Sequence, residues 1–96
     1  MKPVIVCTDK RGVIFGYAKT AKPNSKGQIK LKKVRMCLYW PKEVGGVFGL
    51  GENGPDNNTR ISAQLKGIRL EGVTAIFDVS KNAEKAWINA PTQGRA

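Results

Sequence analysis

Along much of this chain apolar and polar residues alternate with a period of two, the signature of strands with one face buried. "PVIVCT" (3–8) is rich in β-branched residues and reads as a first strand. "DKRG" (9–12) has turn chemistry. "VIFGYAKTA" (13–21) follows as a second strand, with Val13, Phe15 and Tyr17 on one face. Gly16 inside it marks a bulge or a close backbone approach. "KPNSKG" (22–27) is a loop, and a third strand begins at Gln28. In that strand Ile29 and Leu31 are apolar at odd positions, whereas Val34, Met36, Leu38 and Trp40 are apolar at even ones. Arg35, Cys37 and Tyr39 then fall on the opposite face. A strand cannot exchange its faces without an extra residue or a bend. The parity therefore predicts a β-bulge or sharp bend at Lys32–Lys33.

Pro41 has no N–H to donate and ends the ladder. "KEVGGVFGL" (42–50) fits one or two helical turns with Val44, Val47 and Phe48 inward, or a Gly-rich loop; helix is the preferred reading. "GENGPDNN" (51–58) is a loop. "TRISAQL" (59–65) alternates Ile61, Ala63 and Leu65 as a half-buried strand, and Lys66–Gly67 bends the chain. "IRLEGVTAIFDV" (68–79) supplies one bent strand or two short ones around Gly72. "SKNAEKAWINA" (80–90) reads as a helix with Ser80 as N-cap and Ala83, Ala86 and Trp87 on one face. The predicted fold is mainly β (α+β). It is a small bent antiparallel sheet, or an SH3-like or OB-like barrel, of about five strands with a short C-terminal helix. Residues 1–90 form a single domain and 91–96 a flexible tail.

Charge changes this picture more than composition does. The formal net charge is +10, and it is unevenly spread. Residues 1–35 hold ten Lys and Arg against Asp9 alone, a balance of +9, while residues 36–96 hold seven bases against six acids, or +1. This concentration predicts one positive face. The longest apolar stretches fall far short of the roughly 20 residues that span a bilayer. No hydrophobic leader follows Lys2 and Pro3. The expectation is a cytoplasmic protein without a membrane partner.

Catalysis finds little support. The chain has no histidine, the commonest acid–base group near neutral pH. Its carboxylates are scattered, and neither Cys7 nor Cys37 has an imidazole partner. The two cysteines are expected as buried free thiols rather than a disulfide, and no zinc site is expected, since zinc takes about four ligands. Gly49, Gly51 and Gly54 match a G-x-G-x-x-G spacing, but Pro55 and Asp56 stand where a helix should open, so a plain loop is the better reading. The protein is read as a non-enzyme with no cofactor and no metal.

The basic strand is the stronger lead. Lys30, Lys32, Lys33 and Arg35, with Lys19 and Lys22 in the preceding hairpin, are the candidate phosphate contacts. Tyr39, or Tyr17 on a neighbouring strand, is a candidate stacking surface. A solvated strand face whose lysines deter edge pairing is the competing reading. Trp40 and Trp87 are assigned to the core.

The segments "GVIFGY" (12–17), "IKLKKVRMCLYW" (29–40) and "LEGVTAIFDVSKNAEKAW" (70–87) together resemble a group of short phage and prophage proteins with a basic-aromatic strand ending in Tyr-Trp. The resemblance spans about residues 4 to 88. Its function is unassigned, so it implies an origin rather than a chemistry: an accessory gene of a bacteriophage, acting in the cytoplasm of the bacterial host. The leading expectation is a binding protein whose basic face holds a polyanion, nucleic acid foremost. The alternative is a host-interaction or anti-defence protein that blocks a host factor or, as a small homo-oligomer, sequesters a cyclic nucleotide. There Arg35 and lysines clamp phosphates under loop 51–58. A minor virion component is the third.

Overall fold

The computed structural model describes residues 1–10 and 12–92. It contains β1 (Lys2–Thr8), β2 (Val13–Ala18), β3 (Ile29–Tyr39), α1 (Gly46–Glu52), β4 (Arg60–Ile61), β5 (Leu65–Leu70), β6 (Val73–Asp78) and α2 (Lys81–Asn89). The six strands form one antiparallel sheet in the order β4-β3-β2-β1-β6, with β5 also pairing with β3. β3 is long enough to hold two partners on one edge: β5 along its first half and β4 along its second.

The change of parity in β3 is resolved by a bulge. Phe15 pairs with Arg35 but Tyr17 pairs with Lys32, so Gly16 stands opposite two residues, Lys33 and Val34. Lys33 takes the left-handed conformation, with φ 53°. The extra residue keeps Ile29, Leu31 and Val34 on one side of the sheet. Gly16 is required there, because a Cβ at that position would lie 2.9 Å from Leu31 Cβ.

Both sides of the sheet are buried at its centre, which is why Val4, Ile5 and Val6 are consecutive and all inaccessible. On one side Ile5, Val13, Phe15, Cys37 and Ile61 pack beneath the helices against Leu50, Ala83 and Trp87. Trp87 stacks on Phe15 with centroids 5.0 Å apart and 6° between planes, and its indole Nε1 donates to the Leu50 carbonyl at 3.1 Å. Ser80 caps α2, accepting from the Ala83 N–H at 3.0 Å. On the other side the sheet curls until Ile68 and Leu70 of β5 and Val73 and Ile76 of β6 join one core with Val4, Val6, Ile14 and Leu31. Among the described residues no ladder joins β5 to β6, so the sheet is bent and open rather than a closed barrel.

Several expectations are corrected. Met36 and Leu38 are exposed, because the β2–β3 ladder ends at Ile14–Met36 and β4 is only two residues long. Their neighbours Arg35 and Cys37 are the buried ones, beneath the helices. Trp40 is half-buried and packs with that helix-side core, not with Met36 and Leu38. The 59–65 segment is not one strand: Arg60–Ile61 forms β4, Leu65 already opens β5, and Lys66–Gly67 lies inside β5, where Gly67 pairs with Lys32. The 42–50 segment is helical, as preferred, a 3₁₀ turn (Lys42–Val44) with Val44 buried leading into α1; the corrections there are that Phe48 is exposed and that α1 runs on through Gly51 and Glu52 of the expected loop. Of the expected tail, Thr92 bridges Ile61; residues 93–96 lie outside the described part.

Candidate nucleic-acid interface

Residues opposite one another in a ladder project from one face of a sheet, as do residues two apart along a strand. Tyr17 pairs with Lys32, and Lys30 with Arg69. Tyr17, Lys30, Lys32 and Arg69 therefore share a face. It continues the face that carries Phe15 and Arg35 under the helices. The covering reaches only as far as Tyr17, whose hydroxyl donates to Glu84 of α2 at 2.6 Å. Beyond it, Lys30, Lys32, Lys33 and Arg69 are exposed.

The Lys33 ammonium lies 6.0 Å from the Tyr17 ring centroid, a cation–π contact supported by the bulge. Lys19 and Lys22, in the β2–β3 loop, line with Asn24, Gln28 and Lys30 a shallow cleft of about 310 Å³. A second cleft of about 350 Å³ runs between Lys30, Lys32, Gly67 and Arg69. Lys30 belongs to both, so five cations border one continuous surface across the loop, β3 and β5.

Among the described residues no carboxylate pairs with these cations. The ion pair among the described residues is Lys2 with Asp78, at 2.7 Å, on a different part of the sheet. Two cations directly opposite one another in a ladder, such as Lys30 and Arg69, repel.

Two of the expected contact residues are placed elsewhere. Arg35 is only 4% exposed. Its Nε donates to the Ser62 carbonyl at 3.1 Å, and its Nη1 to the carbonyls of Trp87 and Ala90 at 2.7 and 2.6 Å. Burial lowers its pKa from the usual guanidinium value. Its charge is spent at the C-terminal end of α2, where a cation complements the helix dipole. Tyr39 is exposed, but it sits past the bulge opposite Arg60, apart from the lysines. Conversely, Arg69 was not anticipated. Its outward position follows from inward Ile68 and Leu70, but its meeting with Lys30 depends on the β3–β5 register.

Burial raises both thiols above their ordinary pKa, Cys37 to about 11. Both are free, Cys37 buried and Cys7 half-buried, which leaves neither poised as a thiolate nucleophile at neutral pH.

A family model described as "Domain of unknown function (DUF6948)" matches residues 1–87. The chain belongs to the DUF6948 family. The DUF6948 match covers all six strands and α2 as far as Trp87, so every cation of the basic surface lies within the DUF6948 domain. No curated protein matches this DUF6948 chain. No helix among its described residues is long and apolar enough to cross a membrane.

Proposed function

We propose that this protein is a phage-type accessory binding protein whose basic face holds a polyanion, nucleic acid foremost, through the phosphate backbone. The contacts are Lys19, Lys22, Lys30, Lys32 and Lys33, joined by Arg69. The observation that carries the proposal is the direct cross-strand opposition of Lys30 and Arg69 with no carboxylate paired to either among the described residues. A face kept only for solubility mixes both signs of charge. A face that keeps like charges together gains when phosphates neutralise them and release counterions.

The reading as a nucleotide-sequestering clamp loses its parts in this geometry. Arg35 is committed to backbone carbonyls, and the segment meant to cover the ligand packs on α2 instead, with Gly54 against Ala83 and Ala86.

The test is a salt titration of binding to labelled DNA and RNA. Log K should fall linearly with log salt, with a slope of about −0.9 per phosphate neutralised on duplex DNA. No measurable binding at low salt refutes the proposal.

A further inference from the structure

Resting on that reading, we infer that the basic face takes double-stranded rather than single-stranded nucleic acid, reading backbone shape and not bases. Two independent observations lead there.

The first is that, among the described residues, no free stacking platform lies among the lysines. Proteins that hold single strands combine a cationic groove with aromatic faces on which bases stack. Tyr17 is the aromatic residue on this face, and its ring is occupied. It meets the Phe15 ring edge-to-face at 5.5 Å and 78°, it carries Lys33 over its face, and its hydroxyl is held by Glu84. Tyr39 is exposed but follows Lys33 by six residues, up to about 20 Å along the strand.

The second is the shape of the cationic array. A single backbone needs one file of cations. Here they spread over two directions: Lys30 and Lys32 lie along β3, while Arg69 lies across the ladder from Lys30 and Lys19 follows the end of β2. From β2 to β5 is two strand spacings, about 10 Å. That breadth, extended by flexible lysine stems, matches phosphates on both sides of a duplex groove roughly 6 to 12 Å wide. Duplex DNA also offers the denser charge, one per about 1.7 Å of axis.

Fluorescence anisotropy with an end-labelled 20-base-pair duplex, a mixed-sequence 20-mer and oligo-dT of equal length separates the outcomes, with intrinsic tyrosine and tryptophan emission followed in parallel. The duplex should bind about ten-fold tighter than either single strand, without base preference and without quenching of protein emission. A triple variant, Lys30→Gln, Lys32→Gln and Arg69→Gln, should lose at least about ten-fold in duplex affinity with its folding unchanged. Equal or tighter single-strand binding, or quenching by oligo-dT, overturns the duplex inference but leaves nucleic-acid binding standing. Binding to neither, or only to anionic lipid vesicles, overturns both. Full duplex affinity in the triple variant overturns the assignment of this face.

Discussion

Arg35 of β3 donates to the carbonyl oxygen of Trp87 at 2.7 Å, across 52 positions of sequence. With the bonds to Ser62 and Ala90, it ties the middle of the sheet to the end of α2. Removing the side chain takes this donor from three carbonyls, the buried one of Trp87 and the part-buried ones of Ser62 and Ala90. Hydrogen bonds from a charged donor contribute about 1.5–3 kcal/mol each, and orphaned buried acceptors add a penalty. Arg35→Met should therefore destabilise the fold by about 3 kcal/mol, read as a lower urea midpoint. The salt slope of nucleic-acid binding by the remaining folded protein should not change. A slope reduced by about one would return Arg35 to the contact set.

The basic face should trade stability against binding. Lys30 and Arg69 are like charges in direct cross-strand opposition. Lys30→Glu turns repulsion into attraction, which is expected to raise stability by about 0.5 kcal/mol while weakening nucleic-acid binding. Thermal unfolding and anisotropy on the same sample check both halves. A variant that is less stable, or that binds as well as the parent, contradicts the assignment.

High pH should loosen the contact between sheet and helix at Tyr17. Burial, then the hydrogen bond and charge of Glu84, push the Tyr17 hydroxyl up to about 12 from an ordinary value of 10.0. The folded state thus holds this proton more tightly than the unfolded chain does. The resulting stability is complete below pH 10 and is lost as pH rises from about 10 to about 12. Tyr17→Phe keeps the ring against Phe15 and removes the titration. Denaturation midpoints should fall more steeply for the parent than for the variant over that interval; parallel curves would count against the Glu84 contact.

Gly16 should not accept a side chain. Its Cβ would meet Leu31 Cβ at 2.9 Å, opposite the bulge. Gly16→Ala is expected to cost about 1–3 kcal/mol by overpacking. Lys33→Gly, at the neighbouring left-handed position, should be neutral or stabilising by up to about 1 kcal/mol. Opposite signs for the two substitutions in urea unfolding are the expected result.

The bulge shows why some features were legible in the chain. The parity of Ile29, Leu31 and Val34 must be reconciled on one side of the sheet, and a period of two allows that only with an extra residue at Lys32–Lys33. The cap at Ser80, the inward Trp87 and the close approach at Gly16 were equally readable, since each rests on local geometry. The lysines of the site were legible as outward residues for the same reason.

Arg35, Met36 and Leu38 show where that logic stops. Alternation divides a strand into two faces but does not say which face a helix will cover. Arg35 is buried because α2, arriving 46 residues later, brings its carbonyl ends onto it; Met36 and Leu38 are exposed because β2 and β4 end beside them. Arg69 joins Lys30 for a similar reason, through a register between strands far apart in the chain. Local periodicity thus settled the first three strands, the bulge in β3 and the helix cap, because these depend on neighbours a few residues away, whereas it misplaced the division between β4 and β5. The covered face, the open sheet and the joining of Arg69 to the lysines came from long-range pairing, since burial and charge proximity are set by what packs from elsewhere in the chain.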